Sequence, residues 1–259
     1  MATDPTALKR AIDFIENITE HSYTRKEEWR FGHAYFNDRF PIKWDLNHLR
    51  IERDAADLTA EAVAAEAKRV QGGAGLNHRM IYANDGTIGA KLAPGFKELG
   101  WIIHHLVMMV HGGEDVPPPT VDVREVAFED LRPHFEKWDV EIEHNEPAEA
   151  EQLAASKEVV RAAVDVRFFA GYVASELAGW CELYSDANVG QIENVCTWPT
   201  LRNHGVARSV VVHALEQSRA AGHDLHFLIA DQEDWPKELY AKLGFRAVGY
   251  IYEYLLRPP

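Results

Sequence analysis

The stretch from Ile192 to Ala221 constrains the fold more than any other part of the chain. Ile192 to Thr197 reads as a strand, and Val206 to Ala221 reads as an amphipathic helix. Trp198-Pro199-Thr200 and then Arg202-Asn203-His204-Gly205-Val206-Ala207 lie at the junction. A strand that turns into a helix leaves the first helical N–H groups without intrahelical partners. With the helix dipole, those groups make an anion site. Gly205 and Ala207 carry little or no side chain, so a ligand can approach the backbone closely. Arg202 adds a permanent charge on a planar fork that suits phosphate. By itself R-x-x-G-x-A is short, and an ordinary turn with a surface arginine satisfies it equally.

The surrounding elements narrow the choice. Ala7 to His21 reads as a helix, with Leu8, Ile12, Ile15 and Ile18 on one face. Pro41 to Arg53 is read as extended, Asp57 to Val70 as a helix of strong helix formers, and His78 to Ala83 as a strand. Thr87 to Leu99 is read as a helix interrupted at Pro94-Gly95, and Trp101 to His111 as a buried strand or strand pair. Gly112 to Pro119 ends in three prolines, which are stiff and cannot pair in a sheet. This run divides the chain into residues 1–113, a linker at 114–120, and residues 121–259. The second part reads as a strand (Val121 to Ala127), helical acidic sequence, then a hairpin, Arg167 to Ala174 with Gly179 to Ser185. Val189 to Thr197 is a third strand. The helix at Val206, a strand at His226 to Ala230, a helix at Pro236 to Leu243 and a strand at Phe245 to Leu256 complete it. The fold class is α/β (α+β), a mixed, mostly antiparallel sheet flanked by helices, in two tandem domains.

The formal charge of −14 disfavours phosphate backbones, so no nucleic-acid partner is expected. Cationic small molecules, amines among them, are tolerated. Two cysteines, Cys181 and Cys196, are too few for a disulfide scaffold. No signal sequence is read at the N-terminus, and the apolar run Leu106 to Val110 is too short to span a bilayer. No membrane partner and a cytoplasmic location are therefore expected.

Arg202-Asn203-His204-Gly205-Val206-Ala207, after the Val195-Cys196-Thr197-Trp198-Pro199 strand end, resembles the acyl-CoA loop of the GNAT N-acetyltransferase superfamily. Some thirty residues on, Glu238-Leu239-Tyr240-Ala241-Lys242-Leu243-Gly244-Phe245 resembles that family's second signature. The resemblance covers Val121 to Pro259. Over residues 1 to 111 it is weaker, and that part is read as a degenerate, non-catalytic GNAT-like domain. The resemblance implies a GNAT acyl-CoA N-acyltransferase fold and acetyl-CoA as co-substrate. It implies that Arg202, Asn203, His204, Gly205, Val206, Ala207 and Arg208 bind the pyrophosphate, chiefly through backbone N–H groups. Main-chain groups of Val195, Cys196 and Thr197 would pair with the pantetheine arm as an added strand does. Tyr240 would be the general acid that protonates the leaving thiolate.

The base is read from residues. Glu193 lies beside the expected thioester, and an i, i+2 spacing puts it on one face with Val195. Glu182 on the neighbouring strand is the other carboxylate in reach. A carboxylate near pKa 4 is a poor base at pH 7 unless burial or a neighbour raises it. Two departures from the family pattern stand out. Asp231-Gln232-Glu233-Asp234-Trp235-Pro236 replaces the region where many relatives carry Asn, and Ala207 replaces the loop's second Gly. Trp198 and Trp235 flank the expected site. No metal is expected, since His104 and His105 are adjacent on a strand and point to opposite faces. The expected function is transfer of an acetyl group to the amine of a small molecule by direct attack in a ternary complex. A non-catalytic acyl-CoA binder or sensor, transfer of another acyl group, and a purely structural role stay open. So do the acceptor and the oligomeric state.

Overall fold

The computed structural model describes residues 4–258. They form two compact units that are interleaved along the chain. The first holds the segment ending at Phe14 together with Met108–Ala230 and Asp234–Val248, and the second holds Ile15–Val107, Asp231–Glu233 and the segment from Gly249 on. Each unit thus draws on segments that a linear division at residues 113 and 121 gives to the other part. α1 (Pro5–Glu20) and β5 (Ile102–His111) are each divided between the two units, and both units have a mixed, mostly antiparallel sheet flanked by helices.

In the second unit, β1 (Arg25–Trp29), β2 (Gly32–Phe36), β3 (His48–Ile51) and β4 (Arg79–Ala83) run in that order, and residues 252–256 of β11 (Phe245–Leu256) lie against β4. β3 and β4 pair in parallel; the other pairs are antiparallel. α2 (Ala60–Gly73) and α3 (Gly86–Glu98) close one face over Ala34, Phe36, Leu49, Ile51, Ile81 and Ala83. Asp85 caps α3 by accepting from the Thr87 and Ile88 N–H groups.

The break expected at Pro94-Gly95 does not occur: α3 runs through both residues. Gly89, Leu92 and Phe96 form its buried face, and the lack of a side chain at Gly95 lets Ala60 of α2 pack close. Packing of that face outweighs the one hydrogen bond that Pro94 forfeits. Phe96 is fully buried and its ring stacks on Tyr254 at 4.1 Å. Phe96→Ala is expected to destabilise this unit by about 3–5 kcal/mol, read from the denaturant midpoint.

The first unit holds β6 (Asp122–Val126), α4 (Phe128–Glu141), α5 (Pro147–Ala163), β7 (Asp165–Val173), β8 (Glu176–Asp186), β9 (Val189–Thr197), α6 (Val206–Ala220), β10 (Leu225–Asp231) and α7 (Pro236–Lys242). Strand order is β10-β9-β8-β7-β6. The β7–β8 turn is tighter than the four residues expected: Ala174 and Ser175 alone make it, with φ of 47° and 70°. Two left-handed residues match the twist of the flanking strands. On one face α4 packs Phe128, Leu131 and Phe135 onto Phe168, Ala170 and Trp180. On the other, Gly171 and Gly179 leave room for Val206 of α6; a Cβ at Gly179 would lie 2.9 Å from Val206 Cγ1.

Candidate active site

β9 builds the site through two irregularities. The first is a bulge. Trp180 pairs with Cys196 and Glu182 with Glu193, so β9 holds one residue more than β8 over that interval. Asn194, with φ of 51°, takes up the excess. The alternation of side chains is shifted there. Glu193 and Cys196 stand opposite Glu182 and Trp180. The expectation that Glu193 and Val195 share a face is corrected accordingly, because the i, i+2 rule holds only in an unbulged strand.

The second irregularity is a splay. β10 pairs with β9 in parallel from Leu225↔Val189 to Leu228↔Ile192, and the register ends there. Past Ile192 the main chain of Val195, Cys196 and Thr197 has lost its neighbour on that side while keeping β8 on the other. Those peptide groups can accept an extended, amide-bearing ligand as an added strand. The Thr197 hydroxyl oxygen is buried and has no hydrogen-bond partner among the described residues.

The loop after β9 turns twice through left-handed backbone, at Asn203 (φ 66°) and Gly205 (φ 78°). Gly205 is the N-cap of α6 and has no capping side chain, so the first N–H groups of the helix, on Val206, Ala207 and Arg208, are left for an outside acceptor. Arg202, Asn203 and His204 are exposed around that end. The His204 ring contacts the Arg202 carbonyl at 2.9 Å, which ties the loop to itself. Arg208 points away: its guanidinium donates to the carbonyls of Pro118 and Pro117 at 2.9 and 2.7 Å. The Thr120 N–H donates to Ser209 Oγ at 2.9 Å. The proline-rich segment is thereby fastened along the first turn of α6, so Arg208 reaches the helix end by its backbone and not by its charge.

Tyr240 lies on α7, 7% exposed, with its ring 6.3 Å from that of Phe245. Burial, then the Glu193 charge, holds its phenol well above the ordinary range, so it keeps its proton at neutral pH. Trp235 precedes α7 and is 61% exposed.

Glu193 and Glu182 face each other across β9 and β8, but their surroundings differ. Glu182 is 1% exposed and committed: it accepts from Lys157 Nζ of α5 at 2.5 Å and from the Tyr184 hydroxyl at 2.8 Å. Asn194 Nδ2 donates to that same hydroxyl at 3.2 Å. Among the described residues, the Gln191 side-chain amide is the side-chain donor to Glu193. Burial, then the Glu182 charge, pushes its carboxyl up to about 7. Burial and a neighbouring negative charge, either of which raises a carboxylate toward neutrality, act together on Glu193. The two thiols move the other way from reactivity. Burial pushes Cys196 up to about 12 and Cys181 well above its ordinary value, so neither is a thiolate near neutral pH.

Lys157, Tyr184, Asn194 and Gln191 escaped the sequence reading. Lys157 comes from a helix 25 residues before Glu182, and nothing in the sequence marks the pairing. Gln191 at i−2 from Glu193 was the one legible clue. On the α4 face, Trp198, His134, Lys137, Glu141, Glu176 and Leu177 contribute to a groove of about 440 Å³. Among the described residues, no group of three or more His, Cys, Asp or Glu side chains is placed to hold a metal ion, and no helix is long and apolar enough to cross a membrane.

Residues 168–254 match the family model of FR47-like proteins. The structure superposes on a GCN5-related N-acetyltransferase from Kribbella flavida with a TM-score of 0.61, covering 96% of this chain and 94% of that one at 16% identity. This is a GNAT-fold protein. The structure also superposes on a functionally unknown conserved protein from Staphylococcus epidermidis (TM-score 0.66, 16% identity, 91% of this chain and 94% of that one). A tandem GNAT protein from the clavulanic acid biosynthesis pathway matches with a TM-score of 0.50 at 11% identity, over 77% of this chain and 70% of that one. No curated protein sequence matches this GNAT-fold chain.

Proposed function

We propose that the protein is an acyl-CoA-dependent N-acyltransferase that transfers an acetyl group from acetyl-CoA to the amine of a small molecule. The observation that carries this reading is the parting of β9 from β10 beyond Ile192, directly ahead of an uncapped α6 N-terminus. The free strand edge suits the pantetheine amides, and the helix end suits the pyrophosphate. Residues 1–113 act as a degenerate GNAT-like part without a donor site of its own, since Gly72 and Gly73 close α2 and Gly75 follows it, so that this glycine run ends a helix and does not begin one.

The chemistry divides between two side chains. Glu193 takes a proton from the attacking nitrogen. A β9 N–H facing the splay meets the developing oxyanion. Tyr240 gives its proton to the sulfur as the carbon–sulfur bond breaks. Attack is direct, in a ternary complex: with both thiols held protonated, the site offers no thiolate to carry an acyl group.

The test is release of free thiol from acetyl-CoA across a library of amines. Tyr240→Phe is expected to lower kcat by about 10²–10⁴-fold while the acetyl-CoA affinity, measured by calorimetry, stays within about 2-fold. Full turnover in that variant would remove Tyr240 from the mechanism. Acetyl-CoA binding with no amine acetylated would favour a sensor.

A further inference from the structure

Gln191 is 3% exposed on β9, two residues before Glu193 and on the same face of the strand, opposite Tyr184. Its amide nitrogen donates to Glu193 Oε1. Its amide oxygen is buried and has no partner among the described residues. A buried carbonyl oxygen without a donor is costly and uncommon. With Glu193 ionised, flipping the amide would put oxygen against a carboxylate, so the hydrogen bond to Glu193 fixes which end is left without a partner. The remaining neighbours are already occupied: Lys157 and Tyr184 both donate to Glu182, and Asn194 donates to Tyr184. The Glu193 carboxylate and Gln191 Oε1 are thus adjacent acceptors on this face, and Oε1 has no donor among the described residues.

Resting on the acyltransferase reading above, we infer that Gln191 is a positioning residue that holds Glu193 through its N–H and presents Oε1 to a second N–H of the acceptor amine. Two acceptors side by side fix the orientation of a nitrogen that must lose one proton and direct its lone pair elsewhere. The proton passes from that nitrogen to Glu193, and the Gln191 amide gives and takes none. Among the described residues, the charged and titratable groups around Glu193 are Cys196 on the same face of β9, Glu182 and Tyr184 on β8, Lys157 on α5 and Tyr240 on α7.

The test follows the side-chain signals of labelled full-length protein by NMR as pH is varied. In the wild type, the Gln191 side-chain amide and the Glu193 carboxyl carbon should titrate with one common midpoint. Gln191→Met keeps the length and removes the donor. It should raise the Glu193 midpoint by about one pH unit, a tenfold change in the ionisation constant for one lost charge-assisted hydrogen bond. Gln191→Leu, with its own unfolding curve, guards against a misfolded variant. Ethylammonium added to the wild type should shift the Gln191 amide signal saturably. An unmoved Glu193 midpoint in both variants, or a Gln191 amide blind to pH, overturns the positioning role. A Gln191 amide blind to ethylammonium overturns the contact with the amine. If no amine in the library is acetylated, the acyltransferase reading falls with that contact, while the two midpoints still decide whether Gln191 holds Glu193.

Discussion

Gly205→Glu is expected to abolish acetyl-CoA binding. Gly205 sits at φ 78°, and a Cβ there would stand 2.7 Å from Thr120 Oγ1. Left-handed backbone costs a non-glycine residue about 1–2 kcal/mol, so the variant is somewhat less stable. Its larger effect is chemical. A carboxylate at the N-cap would occupy the N–H groups of Val206, Ala207 and Arg208 and repel an incoming pyrophosphate. Losing two charge-assisted hydrogen bonds, at about 1.5–3 kcal/mol each, weakens binding by at least about 10²-fold. Gly205→Ala separates the two effects, since it carries the strain without the charge and should lose no more than about 10-fold. Calorimetric titration with acetyl-CoA reads both. One micromolar site per chain is expected in the wild type. Equal losses in Ala and Glu variants would mean that loop shape, not an anion, is at stake.

Glu193→Gln is expected to show two linked changes of opposite sense. With the base gone, kcat/KM should fall by about 10²–10⁴-fold, and the limb in which wild-type activity rises through about pH 7 should vanish. Stability should move the other way. The folded-state value of about 7 lies above the ordinary 4.5, so between these pH values the folded protein holds more protons than the unfolded chain. Stability from this group is complete below about pH 4.5 and is lost as pH rises through 7. The loss is on the order of 3 kcal/mol. Replacing Glu193 by neutral Gln removes it, so the variant should gain up to that amount over the wild type at pH 8 and almost nothing at pH 4. Urea unfolding of both proteins at the two pH values checks this. A gap that does not change with pH would show that Glu193 titrates normally.

The two side-chain assignments rest on different kinds of signal. Tyr240 and Gly205 stand in local motifs, where a few neighbouring residues set the backbone. Glu193 was legible only as a carboxylate near the thioester. What distinguishes it from Glu182 is the reach of Lys157 from another helix, 25 residues away in sequence from the carboxylate it meets.

The order of elements from β6 to β11, the uncapped helix start at Gly205 and the family that those motifs resemble are all legible in the amino-acid sequence. Each of these depends on residues within one or two turns of each other, so periodicity and turn chemistry reach them. Three features came from packing alone: that β9 carries a bulge at Asn194, that α3 runs unbroken through Pro94, and that Lys157 pairs with Glu182 and not with Glu193. In each, packing or electrostatics between segments distant in sequence overrides the local preference. A strand cannot announce where its partner has one residue fewer, and a carboxylate cannot announce which cation will reach it.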